Sequence, residues 1–202
     1  TRCFGDEERT RINLIKMELI KAFNKGQSLL NEIKNTPTTK DRLYIWWLGQ
    51  AGYLIKWNGH HILIDPYLSD SLTEKYKETD KPHVRMSEQV IDPHLLDFID
   101  IVTSSHNHTD HLDAATLKPL IQNNPAAKLV IPEANRAFVA NRLDCALSYP
   151  IGLTHKGMHT FHGGISIHGI ESAHEALEYD GEGHPIYMGY VFLIGDFCIY
   201  HS

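Results

Sequence analysis

The sequence lacks the features of several large classes of protein. Its three cysteines, Cys3, Cys145 and Cys198, are too far apart for a Cys-x-x-Cys metal pair and, being odd in number, cannot form a complete disulfide framework. No stretch approaches the roughly 18 consecutive apolar residues that a membrane helix needs. Hydrophobic residues make up 42% and charged residues 22% of the chain, a mixture that excludes a disordered protein. The 202 residues fit one domain, with or without an appendage.

Charge is also unevenly distributed along the chain. The first ten residues are polar and lack the apolar core of a secretory signal, so a cytoplasmic location is the default expectation. The net charge is −6, and residues 1–42 carry nine Lys/Arg against six Asp/Glu, whereas the remainder carries ten against nineteen. This acidic balance disfavours binding of a nucleic-acid backbone. A small molecule is the expected partner.

Two regions are predicted. Apolar residues recur at a helical period from Glu7 to Lys34, with a break near Gly26, which indicates one long helix or two short ones. The Pro37 region ends this pattern. Residues 1–40 are therefore predicted to form a helical extension that packs on the protein or forms a contact in a homo-oligomer. Residues 41–202 are predicted to form the main domain.

The main domain is predicted to belong to the α/β class. Strands are predicted at 43–48, 53–57 and 61–64, and Asn58-Gly59 between the last two is a strong hairpin signal. Strands and helices then alternate, which is typical of α/β layering. Strands are predicted at 100–103, 128–131, 165–170, 187–194 and 197–201, and helices at 114–121 and 133–142.

Fourteen histidines against three cysteines favour metal chemistry with nitrogen and oxygen ligands. His106, His108, Asp110 and His111 lie within six residues, after a predicted strand and before a predicted helix. In a locally extended backbone, His106, His108 and Asp110 would face one cavity, with His111 offset beside them. Imidazole and carboxylate bind Zn²⁺, Mn²⁺ or Fe²⁺, and two adjacent ions can activate a water at neutral pH. The motif therefore predicts a site for two divalent ions.

The His-x-His-x-Asp-His motif at residues 106–111 resembles the signature of the metallo-β-lactamase superfamily. The stretches Trp47–Gly52 and Leu63–Pro66 are similar to the opening strands of that fold. They are most similar to the branch that contains the L-ascorbate-6-phosphate lactonases and the N-acylphosphatidylethanolamine phospholipases. The resemblance covers about residues 43–202 and implies an αββα sandwich.

The resemblance also implies roles for individual residues. It assigns ligands to two metal sites: His106, His108 and His174 to the first, and Asp110 and His111 to the second. Asp65 would orient a ligand histidine by hydrogen bonding, and a turn-capping role is the alternative for it. Zinc is the favoured metal, with manganese or iron as alternatives.

The sequence departs from the family pattern at its end. A bridging aspartate in a Gly-Asp-Thr turn, and a last histidine ligand, normally follow the strand that here ends at His201, and neither occurs in the sequence. We therefore expect the first half to two-thirds of the sandwich. We also expect a weak second metal site, which leaves open whether this chain is active by itself.

The resemblance implies a metal-dependent hydrolase that uses a metal-activated hydroxide. The substrate would be a lactone or ester of a small molecule, with or without a phosphate group, and Asp110 would orient the nucleophile or move a proton. A phosphodiesterase of the phospholipase D-like or nuclease-like kind is one alternative, and a non-catalytic fragment or binding module is another. His184 and Tyr187 are candidates for the substrate cleft near His174, or else belong to an ordinary loop before a strand.

Overall fold

A computed structural model describes residues 19–80 and 83–202. The described part contains ten strands: β1 (Tyr44–Gly49), β2 (Gly52–Trp57), β3 (His60–Ile64), β4 (Ile101–Thr103), β5 (Lys128–Pro132), β6 (Ile151–Leu153), β7 (Met158–Phe161), β8 (Ile165–Glu171), β9 (Met188–Ile194) and β10 (Phe197–His201). Its helices are α1 (Gly26–Asn35), α2 (Ser71–Tyr76), α3 (Ala114–Asn123) and α4 (Arg136–Leu143). Two short 3-10 helices lie at Pro93–Leu95 and Glu133–Asn135. No described helix is long and apolar enough to cross a bilayer.

The strands form two sheets. The first has the order β1-β2-β3-β4-β5-β6, in which β1 to β3 are antiparallel and β3 to β6 are parallel. The second is antiparallel, with the order β10-β9-β8-β7. The carboxyl ends of β3, β4 and β5 meet at one edge of the first sheet, and loops at such an edge commonly form functional sites.

Two apolar cores hold these layers together. One lies between the sheets and includes Ile62, Ile167 and Phe192. The other lies on the opposite face of the six-stranded sheet, where Leu30 of α1 and Leu117 of α3 are buried. The described residues thus form three layers, helices over one sheet over another, which agrees with the α/β prediction.

Most strand and helix predictions are confirmed to within one or two residues. Asn58 and Gly59 have φ angles of +47° and +84°, as a two-residue hairpin turn requires. The predicted helical stretch from Glu7 to Lys34 is wrong in its described part before Gly26, because residues 19–25 are not helical. Gly26 has a φ of +58°, which lies outside the range of a right-handed helix. Helix α1 therefore begins at this residue and does not continue into the residues before it. Residues 7–18 of that prediction lie outside the described residues.

Helix α1 is fixed to the sheet by a buried lysine. The side chain of Lys56 on β2 is directed at the carboxyl end of the helix, and the residue is only 4% exposed. Its Nζ donates to the carbonyl oxygens of Ile33 at 2.8 Å and Thr36 at 2.7 Å, with Lys34 O at 3.4 Å. The ammonium group therefore satisfies carbonyls that the end of a helix leaves unpaired.

Substituting Lys56 by methionine should destabilise the protein. The variant keeps an apolar stem but leaves the carbonyl groups without their charged donor, so we expect the free energy of unfolding to fall by about 2–3 kcal/mol. Urea unfolding measures this change. The matched control is Lys118→Met on α3, where the lysine is exposed, and a loss equal to that of the control would contradict the capping role.

Stability should also fall in acid because of His61. Burial, followed by the charge of Lys56, lowers the pKa of His61 to about 4. The unfolded chain, with a histidine pKa of about 6.5, takes up a proton that the folded chain does not, so stability is lost as the pH falls from about 6.5 towards 4. For one proton, the free energy of unfolding falls by at most about 1.4 kcal/mol for each pH unit. We expect His61→Gln to remove this increment from the pH profile of unfolding, whereas the exposed His94→Gln should leave it unchanged.

Candidate metal centre

The motif residues lie in the loop between β4 and α3. Predicted as extended, this loop is instead a turn: the amides of His111 and Leu112 both donate to the carbonyl of His108, at 3.1 and 2.8 Å. Asp113 ends the turn by capping α3, since its carboxylate accepts from the amide of Ala115 at 3.3 Å. The extended prediction is wrong because these local hydrogen bonds close the backbone on itself.

The turn nevertheless brings the predicted histidines together. The ring centroid of His106 is 4.6 Å from that of His108 and 4.1 Å from that of His111. His174, in the loop after β8, has its ring 5.0 Å from His108 and 6.2 Å from His106. Asp110 Oδ2 is 3.6 Å from His111 Nε2. All five residues predicted as metal ligands therefore lie in one cluster.

Asp65 lies behind the cluster at the end of β3 and is fully buried. Its Oδ2 is 2.7 Å from His111 Nδ1. Oδ2 also accepts from the Ser105 hydroxyl, and Oδ1 accepts from the backbone amide of Ser105 at 3.0 Å. The contact with His111 is the one expected of a carboxylate that orients a ligand histidine.

The histidines of the cluster have different electrostatic surroundings. Burial, reinforced by the charges of His111 and His108, lowers the pKa of His106 to about 3. Burial, followed by the nearby His174, also lowers the pKa of His108. Burial opposes protonation of His111 too, but the hydrogen bond and charge of Asp65, with Asp110, outweigh it and raise the pKa of His111. His106 is thus in the neutral form that a metal requires, whereas His111 would exchange a proton for the ion.

The donors fit divalent transition metals by type. Four imidazoles and one carboxylate are nitrogen and oxygen ligands suited to zinc, manganese or iron. Within residues 19–80 and 83–202, however, no three His, Cys, Asp or Glu side chains are close enough to hold an ion as they are placed. His108 and His174 are exposed, so both can rotate towards His106. His106, His108 and His174 would hold the first ion, and Asp110 and His111 the second.

Two residues that the sequence did not reveal hold the motif turn in place. Arg142 on α4 donates through Nη1 to the carbonyl oxygens of Asn107 at 2.8 Å and Leu112 at 3.2 Å. The buried Tyr190 hydroxyl donates to Ser104 O at 3.0 Å. Because these bonds join residues 30 or more positions apart, no local pattern predicts them.

A cleft of about 540 Å³ lies over His108, Asp110 and His174. Lys75, His83 and Arg142 also line it. Among the described residues, Asp110 is the only carboxylate in the lining. The cleft therefore has the cationic side chains of Lys75 and Arg142 near the cluster, although the whole chain is acidic.

The two candidate substrate residues have different positions. The Tyr187 ring lies 5.2 Å from His106 and 5.5 Å from His174, so it borders the cluster of histidines. His184 forms a separate pair, with its Nδ1 3.2 Å from Asp180 Oδ2. The turn at residues 180–184 places the ring of His184 against Asp180, and His184 is not among the residues that line the cleft.

The fold and the position of the motif turn define a sandwich domain of the metallo-β-lactamase type. A profile of the beta-lactamase superfamily domain matches residues 44–202, and the chain belongs to this family. The predicted family and fold class are confirmed. The solved structure of a possible metal-dependent hydrolase from Veillonella parvula shares the fold, with a TM-score of 0.55 and 19% identity over 79% of this chain and 61% of that chain.

Two curated proteins resemble parts of the sequence. One is a mitochondrial N-acyl-phosphatidylethanolamine-hydrolyzing phospholipase D from Saccharomyces cerevisiae, 35% identical over 86 residues, which is 43% of this chain and 18% of that protein. The other is a UPF0173 metal-dependent hydrolase from Hyperthermus butylicus, 28% identical over 109 residues, which is 54% of this chain and 40% of that protein. The chain therefore matches less than half the length of either relative.

Proposed function

We propose that this domain contributes the metal centre of a hydrolase that cleaves an ester or lactone bond in a small, phosphate-bearing molecule. The observation that carries the proposal is the cleft in which Lys75 and Arg142 lie beside the cluster of histidines. Cationic side chains in a partly enclosed cleft attract and orient an anion. Zinc is the proposed metal, with manganese or iron as alternatives.

Each residue of the site has its own role in the proposed reaction. Bound metal ions lower the pKa of a water molecule and polarise the bond to be cleaved. Asp110 lines the cleft, 3.6 Å from His111 Nε2, where a carboxylate can orient the attacking water and accept its proton. Lys75 and Arg142 hold the phosphate, and the ring of Tyr187 borders the reacting group. Asp65 keeps the imidazole of His111 oriented.

The second candidate function is cleavage of a phosphodiester bond itself. The yeast relative is described as a phospholipase D, and such a substrate presents its anionic phosphate at the reacting centre. In this case Lys75 and Arg142 would contact the phosphate that reacts. A third possibility is that the chain binds metal and ligand without turnover.

Assays on the purified chain loaded with zinc or manganese separate these functions. The substrates are a phosphorylated lactone, the same lactone without phosphate, and bis(p-nitrophenyl) phosphate. Preference for the phosphorylated lactone supports the first function, turnover of only the diester supports the second, and metal binding without turnover supports the third. Turnover of the neutral lactone as efficient as that of its phosphorylated form would overturn the proposed role of the cationic cleft.

Lys75→Met tests that role directly. We expect KM for the anionic substrate to rise about tenfold because one charged contact is lost. The value of kcat should change little. Lys77→Met is the matched control, since Lys77 pairs with Glu74 at 2.9 Å and is not in the lining. An unchanged KM in Lys75→Met would remove Lys75 from the substrate site.

A further inference from the structure

A buried carboxylate directly after the metal motif binds the loop that leads into α2. Asp113 is 1% exposed. Its Oδ2 accepts from Ser69 Oγ at 2.6 Å, and its Oδ1 accepts from Ser71 Oγ at 2.9 Å. Thr116 on α3 is a further donor to Oδ2, at 2.6 Å. The carboxylate therefore joins the start of α3 to two serines that precede it by 44 and 42 residues.

Capping of α3 does not by itself account for this arrangement. The bond that caps the helix, from the amide of Ala115 to Oδ1, is 3.3 Å long, which is longer than an ordinary N–H···O bond. The bonds from Ser69 and Ser71 have the ordinary length of a hydroxyl bond to a carboxylate. Both oxygens of Asp113 are thus engaged by the loop before α2 or by its first residue.

Helix α2 depends on such polar contacts for its position. None of its six residues is buried, so it lacks the apolar face by which most helices pack on a domain. The amide of Leu72 donates to the Tyr67 hydroxyl at 3.1 Å, but that bond is local in the sequence. The bond from Ser71 to Asp113 instead ties the helix to the segment that carries the metal motif.

Both cationic side chains of the cleft are linked to Asp113. Lys75, which lines the cleft, lies on α2, one turn after Ser71. Arg142 donates to the carbonyl oxygen of Leu112 at 3.2 Å, next to Asp113 in the chain. Burial lowers the pKa of Arg142, and the negative charge of Asp113 opposes this shift. Asp113 itself is not in the lining of the cleft.

We propose that Asp113 is a positioning residue for anion binding: it fixes α2, and with it Lys75, relative to the motif turn. Asp113 acts through Lys75, because it does not reach the cleft. This inference rests on the proposed role of the cleft as an anion site. It adds a link between the metal motif and the helix that would hold the phosphate of the substrate.

Amide hydrogen exchange in Ser71→Ala tests whether the carboxylate holds the helix. Removing Asp113 itself would leave several buried donors without an acceptor and would risk unfolding the chain, whereas Ser71→Ala retains the cap of α3. A hydrogen bond to a charged acceptor is worth a factor of about ten or more in an equilibrium constant. We therefore expect the amides of α2 to exchange at least about tenfold faster, with those of α3 unchanged.

Two further variants separate the bond from a general effect on the helix. Ser71→Thr keeps the hydroxyl and should restore slow exchange. Thr73→Ala removes a hydroxyl of the same helix that is not among the donors to Asp113, and it should leave the exchange of α2 unchanged. Exchange that is equally fast in Ser71→Ala and Thr73→Ala would overturn the proposal.

Titration with inorganic phosphate tests the consequence for the cleft without turnover. A chelator in the buffer keeps phosphate from binding through a metal ion. Ser71→Ala should weaken the affinity for phosphate by about threefold or more, since Lys75 is no longer held in place, and Ser71→Thr should restore it. An unchanged affinity in Ser71→Ala, even with faster exchange in α2, would overturn the positioning role.

The lysine variant distinguishes failure of this inference from failure of the proposed function. If Lys75→Met bound phosphate as tightly as the wild-type chain, Lys75 would not be part of an anion site, and the proposed role of the cleft would fail. If Lys75→Met weakened binding but Ser71→Ala did not, the anion site would stand and the role of Asp113 would be wrong.

Discussion

Substituting Asp65 by alanine should destabilise the metal-free protein by about 3–5 kcal/mol, the usual cost of removing one partner of a buried charged pair. The carboxylate is fully buried and accepts from His111 Nδ1 and from both the amide and the hydroxyl of Ser105. Alanine leaves these donors buried without an acceptor. Urea unfolding in the presence of a chelator measures the loss. Asp97→Ala is the control, because Asp97 pairs with Lys34 at the surface and should contribute about 0–1 kcal/mol.

The same variant should change the titration of His111. Burial lowers its pKa, and the bond to Asp65 is the larger of the contributions that raise it, so the pKa of His111 should fall without the carboxylate. In the wild-type chain this pair stabilises the fold below pH about 6.5 and loses that contribution as the pH rises through the raised pKa of His111. The effect of Asp65→Ala should therefore be larger at pH 6 than at pH 9. NMR titration of the His111 ring checks the direction, and an unchanged pKa would show that Asp65 does not control this imidazole.

The strands and the motif were predictable because their signals are local. β-branched and aromatic residues are frequent in β1 to β3, and Asn58-Gly59 fixes the turn between the last two. The nearness of His106, His108 and His111 was predictable because they lie within six residues, although their mutual arrangement depends on the turn. The roles of His174 and Asp65 were inferred from family resemblance, and both residues lie against the motif.

Other features depend on contacts that the sequence cannot show. Helix α2 has no buried residue, so its sequence has no repeat of apolar residues that would indicate a helix. The position of Lys75 in the cleft was therefore not predicted. Arg142 is partly buried at the end of an ordinary helix, and its role depends on carbonyl groups 30 and 35 residues away. The motif turn was predicted as extended because the bonds from His111 and Leu112 back to His108 leave no mark on the residue pattern.

Removing the histidines of the first site should abolish stable metal binding. The wild-type chain, dialysed against zinc and then against buffer, should retain close to one equivalent of metal, since His106, His108 and His174 supply three imidazole ligands. His108→Ala should weaken the affinity by more than about 100-fold, because even loss of a group that only orients a ligand costs about 10–100-fold. Turnover of any substrate should fall with metal content. Metal analysis measures the metal content, and competition with a chelator measures the affinity.

Two comparisons separate a ligand role from a structural one. His184→Ala removes a histidine that pairs with Asp180 away from the cluster, so it should leave metal content unchanged. Because the side chains of His108 and His174 are exposed, their loss should alter the stability of the metal-free chain by less than about 0.5 kcal/mol, while the stabilisation that zinc confers on the wild-type protein should disappear. If near-stoichiometric metal survived the combined loss of His106, His108 and His174, the ion would bind elsewhere, and the assignment of this cluster as the metal centre would be wrong.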